Sequence, residues 1–154
     1  MTQLDAIYNT KILELAAAIP RTKRLPHPDA TASAHSKLCG STVAVDLVVD
    51  GDVIVDFGQT VKACLLGQAA ASVVGREIIG STGQEIRAVG EALRAMLKDN
   101  GPPPAGKWAD LAVLEPVRDY KARHTSTMLV FEAVGRALDE IAERRSATGA
   151  ARSA

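Results

Sequence analysis

The chain has 154 residues, of which 47% are hydrophobic and 23% charged, enough for one domain with its own core. Eighteen Lys and Arg balance eighteen Asp and Glu, which argues against a broad cationic surface for nucleic acid or anionic membrane. Aromatic residues are only 3%, so Val, Leu, Ile and Ala must fill most of the core.

Leu4, Ile7, Ile12, Leu15 and Ile19 recur at roughly helical spacing and predict a helix over residues 4–18, ended by Pro20. This start carries no basic stretch ahead of an apolar run, so it does not read as a signal peptide. No apolar stretch is long enough to span a membrane. The expectation is a cytoplasmic protein, where two cysteines serve as metal ligands, reactive groups or core residues more often than as a disulfide. Residues 20–38 contain Pro20, Pro26 and Pro28 and predict an extended, irregular approach to Cys39.

Residues 43–50 and 53–61 are β-branched and alternating, and Asp50-Gly51-Asp52 between them marks a hairpin turn. Val43, Val45, Leu47 and Val49 should share a face with Val53, Val55, Phe57 and Val61. Asp46, Asp56 and Thr60 belong to the other face, read as solvated. From Cys64 the alternation stops, and a helix rich in small residues runs to Gly80. Thr82 with Glu85 reads as a capping box, ahead of a helix lined by Ile86, Val89, Leu93, Met96 and Leu97. Asn100-Gly101 and three prolines close it. Residues 105–120 show only a short apolar piece around Leu111–Leu114. The last helix is expected from about Thr127 to Arg144, with Phe131, Val134, Leu138 and Ile141 on one face. Residues 1–144 then form one domain, and 145–154 a disordered tail. There is no internal repeat.

The two cysteines, Cys39 and Cys64, stand just outside the two ends of this hairpin. If Val49 faces Val53, continuing the pairing brings them within one position of facing each other, about 5 Å apart at the backbone. Cys64 would also begin a helix, where the dipole and free N–H groups favour a thiolate. The alternative is a pair of buried core thiols. Two cysteines cannot by themselves complete a four-ligand site. No Ser-His-Asp arrangement, phosphate-binding glycine loop or HExxH motif is present, so a hydrolase or nucleotide enzyme is poorly supported.

Leu38-Cys39-Gly40-Ser41, Ala63-Cys64 and Gly67–Ser72 (GQAAAS), the entry Ile19-Pro20-Arg21, and Tyr120–Ser126 (YKARHTS) occur in an order and spacing that resembles the iron–sulfur cluster scaffold family: IscU, SufU and the N-terminal domain of NifU. The long interval from Cys64 to Ser126 is closest to the SufU branch. The resemblance spans about residues 5–142. It implies an α+β fold, a small antiparallel β-sheet of about three strands with helices packed on one face. The first strand would come from residues before Cys39, since an isolated hairpin is marginal.

The same resemblance implies a scaffold or carrier that binds iron, zinc or a labile iron–sulfur cluster through Cys39 and Cys64. It implies a cysteine desulfurase and cluster-receiving proteins as partners. Three departures stand out. Ser41 replaces the family's Asp after Cys-Gly, Ser126 stands at the third cysteine position, and Thr125 stands where IscU has His, with His124 one place earlier. Leu114–Arg118 resembles the IscU chaperone motif only by chance of composition.

Further ligands could come from His124, Ser126 or Ser41, from His35, or from a second copy in a symmetric dimer. His124 is otherwise a solvated surface residue, Ser126 an N-cap, and His27 and His35 loop residues. Lys62, Arg76 and Arg123 could meet an acidic partner surface. The alternatives to a scaffold are a persulfide-accepting partner of a cysteine desulfurase, with sulfurtransferase activity, and a metal-free interaction module. The scaffold itself would not be an enzyme.

Overall fold

The computed structural model describes residues 9–37 and 40–153, with side chains as far as Ala147. In chain order the elements are α1 (Thr10–Ala17), β1 (Ala30–His35), β2 (Thr42–Asp50), β3 (Val53–Lys62), α2 (Leu65–Glu77) and α3 (Gly83–Lys98). A 3-10 segment (Gly106–Asp119), a short 3-10 turn (Lys121–Arg123) and α4 (His124–Ser153) follow. The strands form one antiparallel sheet in the order β1-β2-β3. Helices pack on one face of it: α4 against β1 and β2, α2 against β3, and α1 on α2. This is the expected α+β arrangement, and β1 is the third strand drawn from residues ahead of Cys39.

Leu4 and Ile7 of the expected first helix lie outside the described residues. The described helix begins at Thr10 because the side chain of Asn9 caps it, accepting from the Ile12 N–H at 3.0 Å. Small residues make α2 the central helix. Ala69, Ala70, Ala71, Ser72, Val73, Val74 and Gly75 are all buried, so it is covered on every side rather than along one stripe. Gln59, the one polar side chain on the buried stretch of β3, ties this helix down by donating to the Ala71 and Pro20 carbonyls at 3.0 and 3.2 Å.

The hairpin departs from simple alternation. Val43 faces Val61 and Leu47 faces Phe57, but beyond Val48–Asp56 the register shifts, so that Val49 faces Ile54 and Asp50 faces Val53. The extra residue, Val55, reverses the side-chain parity near the turn. Ile54 is therefore buried, while Val53 and Val55, expected inside, are 36% and 45% exposed. Asp29 accepts the Val49 N–H at 2.8 Å, beside the bulge.

Asp46 corrects a second expectation. It is fully buried rather than solvated. Residues ahead of β1 lie across the outer face of the sheet and bring donors to it, Arg24 Nε at 2.6 Å, Arg24 Nη2 at 3.0 Å and the Leu25 N–H at 3.0 Å, and its cross-strand partner Thr31 in β1 adds Oγ1 at 2.5 Å. Asp56 does remain half-exposed, with Arg21 at 3.6 Å.

Thr82 caps α3 through the Glu85 N–H, but the reciprocal half of the capping box is not made. The Glu85 carboxylate instead accepts from Trp108 Nε1 at 2.9 Å and pairs with Lys107 at 3.6 Å. The Trp108 hydrogen bond, helped by Lys107, holds its pKa below the usual range against the opposing effect of burial. Asn100, in a left-handed conformation, closes α3 as expected. Residues 106–119 are far more ordered than the sequence suggested. Trp108, Leu111, Leu114 and Val117 are all buried, and their spacing of three is the repeat of a 3-10 helix, in which such side chains stack above one another. α4 begins three residues before the expected Thr127, and its backbone continues to Ser153, across the segment read as a tail.

Burial alone raises the Asp46 pKa, but hydrogen bonds from Arg24, Thr31 and Leu25, with the charge of Arg24, bring it below the usual carboxylate value. Its stabilisation is therefore complete above the unfolded carboxyl pKa and fades as pH falls through the lower folded value. Asp46→Asn should cost about 2–3 kcal/mol at neutral pH. The gap to wild type should shrink in acid. Urea midpoints at neutral and at strongly acidic pH check this, and an unchanged gap would remove the carboxylate as its source.

Candidate functional site

The three strands end level on one side, because Thr42 at the start of β2 pairs with both His35 and Lys62. Two connections meet this end of the sheet. The β1–β2 loop turns through Gly40, at φ 70°, a conformation that suits glycine. Its N–H donates to the Ser36 carbonyl at 2.8 Å, and the Ser36 N–H donates to Ser41 O at 2.9 Å. Cys39 lies outside the described residues, so its expected approach to Cys64 does too. Ser41 is buried at the start of β2.

The second connection is the step from β3 into α2. Lys62 ends the strand, and Cys64 is the N-cap of the helix, with extended backbone at φ −67°, ψ 170°. Its carbonyl accepts the Gln68 N–H at 2.9 Å. The thiol is half-buried, and Sγ lies 3.5 Å from Ser126 Oγ. Ser126 is 2% exposed, and its hydroxyl donates to the Arg123 carbonyl at 3.1 Å. The thiol therefore meets an oxygen lone pair, in a chain from Cys64 to Ser126 to the Arg123 backbone. Ser126 is not an N-cap, because α4 starts two residues earlier.

Close packing of α2 on α4 creates this contact. A Cβ at Gly67 would lie 2.8 Å from Ser126 O and 2.9 Å from Ala63 Cβ. Any larger residue would push the first turn of α4 away from Cys64.

The histidines are placed elsewhere. His124 is buried, not solvated, and its Nε2 donates to the Val117 and Arg118 carbonyls at 3.1 and 3.2 Å. Two residues of an α-helix are about 200° apart around its axis, so His124 and Ser126 leave α4 on opposite sides. His124 and Thr125 border a small cavity of about 90 Å³ with Lys98 and Glu132. His35 is the last residue of β1 rather than a loop residue, and its Nδ1 lies 3.1 Å from Thr42 Oγ1. His27 is exposed. Among the described residues, no three or more His, Cys, Asp or Glu side chains gather in a way that could hold a metal ion. The structure thus unites Cys64 and Ser126, which are 62 positions apart. The spacing of the hairpin gave no signal for that meeting.

No family model and no curated protein matches the chain, but solved structures do. A nitrogen-fixing NifU-like protein (N-terminal) from Brucella abortus is 52% identical, over 92% of this chain and 99% of that one, with a TM-score of 0.90. A candidate iron–sulfur cluster assembly scaffold for the SUF system, from thermophilic Fervidobacterium islandicum AW-1, is 22% identical over 87% of this chain and 98% of that one, with a TM-score of 0.79. At that identity the second likeness shows the fold alone.

Gly67→Ala should destabilise the protein by about 1–3 kcal/mol and speed alkylation of Cys64 by iodoacetamide. Gly135→Ala is the control, since only the far end of Arg87 approaches its Cβ, at 3.8 Å. It should leave both quantities unchanged or raise stability. Mass spectrometry of the Cys64 peptide reads the alkylation rate, and equal rates in both variants would remove Gly67 from the positioning of the thiol.

Proposed function

The chain belongs to the iron–sulfur cluster scaffold family of NifU N-terminal domains and SufU, and on that premise we propose that it holds iron, zinc or a labile iron–sulfur cluster as cargo at this end of the sheet. Cys64 and Cys39 are the proposed thiolate ligands. Ser126 is the proposed oxygen at a third corner, and Ser41 at the start of β2 is a further ligand candidate, whereas His124 faces the other side of α4 and is held by the Val117 and Arg118 carbonyls. The role is that of a carrier rather than an enzyme, with a cysteine desulfurase supplying sulfur and other proteins receiving the cluster. A homodimer would bring four thiolates to one cluster.

The Cys64–Ser126 spacing carries this reading. A tetrahedral ion bonded to a thiolate at about 2.3 Å and to an oxygen at about 2.1 Å spreads those two atoms about 3.6 Å apart. Cys64 Sγ and Ser126 Oγ are 3.5 Å apart before any ion is bound. The pair can therefore take an ion with little rearrangement, once the thiol has released its proton to solvent; the Ser126 hydroxyl already donates away, to the Arg123 carbonyl. A second reading has its own support. Cys64 caps α2 without a side-chain hydrogen bond to the helix, and its half-buried thiol is the group that would accept persulfide sulfur.

Anaerobic reconstitution with iron and sulfide tests the proposal on wild type, Cys39→Ala and Cys64→Ala, with iron, zinc and visible absorption measured. A chromophore that needs both cysteines is the expected result, and iron per chain then tells a shared cluster from a private one. Absence of bound metal from every sample would sink the cargo reading. A Cys64 peptide heavier by one sulfur atom after treatment with a cysteine desulfurase would then favour the persulfide acceptor.

A further inference from the structure

Ion pairing is unevenly spread over this neutral surface. Arg21, Arg24, Arg76, Arg87, Arg94, Arg118, Arg136, Arg144 and Arg145 each have a carboxylate within 4 Å. Lys11 and Lys107 do as well. Among the described residues five lysines make no ion pair: Lys23, Lys37, Lys62, Lys98 and Lys121. Three of these border the thiol corner.

Lys37 is in the β1–β2 loop, Lys62 ends β3 two residues before Cys64, and Lys121 opens the short turn that leads into Ser126. All three are exposed. Within residues 36–37, 40–42, 62–65 and 119–126 the sole carboxylate is Asp119. The opposite end of the sheet is different: its exposed carboxylates are Asp50 and Asp52, and Arg145 pairs with Asp52 at 3.8 Å. A chain with no net charge therefore carries a local excess of unpaired positive charge where the thiol opens.

Lysines without partners keep their full charge for a visitor, and a local field steers encounter more than total charge does. We propose that the Lys37–Lys62–Lys121 rim is the docking surface for an acidic face of a partner protein that delivers or removes what Cys64 holds. The proposal rests on the cargo reading of that corner. A protein fits better than nucleic acid. Three spaced lysines would neutralise few phosphates and give weak, strongly salt-sensitive binding to DNA or RNA, and among the described residues of these segments the one aromatic ring, Tyr120, is partly buried against the core rather than laid open for a base to stack on.

Fluorescence anisotropy of a labelled Glu/Asp peptide is the test, with a Ser/Gln peptide and an oligothymidine as comparisons. Wild type should bind the acidic peptide at low salt and release it at high salt. Lys62→Glu with Lys121→Glu should weaken binding about tenfold or more. Lys23→Glu with Arg144→Glu changes the net charge equally and should leave the affinity within about twofold. Circular dichroism confirms that both variants fold. Equal losses in the two variants, no binding by wild type, or tighter binding of oligothymidine would each overturn the proposal. Iron loading of the same proteins separates the two readings. Normal loading with unaltered peptide binding in Lys62→Glu/Lys121→Glu rejects the rim alone, whereas absent loading in wild type rejects the cargo.

Discussion

The pairing of β2 with β3 is the constraint on which the site depends. Thr42 opposite Lys62 brings the strand ends level, so the next two residues carry the chain off the sheet and Cys64 becomes the first turn-maker of α2. The bulge near the hairpin turn confines a register error to the far end. It sends Ile54 inward and Val55 outward, yet leaves the pairing from Val48 to Thr42 regular. A shift of one residue at the other end would instead have reversed every side chain beside the thiol.

Two close contacts then convert sheet geometry into chemistry. Gln59 reaches from the sheet to the Ala71 carbonyl and fixes α2 along its length. Gly67 lets α4 approach α2 near its start, which seats Ser126 beside Cys64. The thiol is thus placed by strand register, helix depth and helix–helix distance together. Ser126 brings to that thiol a hydroxyl oxygen already engaged by the Arg123 carbonyl, a harder and weaker donor than a second sulfur would be.

Much of the fold was legible because its signals are local. The Asp50-Gly51-Asp52 turn, the Thr82 cap and the Asn100 stop each state their conformation within a few residues. The misreadings share one cause, which is contact across the chain. Asp46 looks like a surface carboxylate until Arg24 and Leu25 are brought over it. Glu85 looks like half of a capping box until Trp108 claims it. His124, between Arg123 and Thr125, looks solvated, yet two carbonyls at the end of the 3-10 segment draw it inside. In the site, Cys64 at a helix start was visible from the change of period, whereas its contact with Ser126 depends on packing that no short stretch encodes.

The 3-10 segment has a further consequence, for how the chain can vary in length. With about three residues per turn, inserting or deleting one residue between Trp108 and Val117 would rotate everything beyond it by a third of a revolution, turning Leu114 or Val117 to solvent. Steps of three would preserve the stacked row. A stretch that resembles a loop in composition therefore counts its residues as strictly as a coiled coil does. Any relative that keeps this row should differ here in length by whole turns.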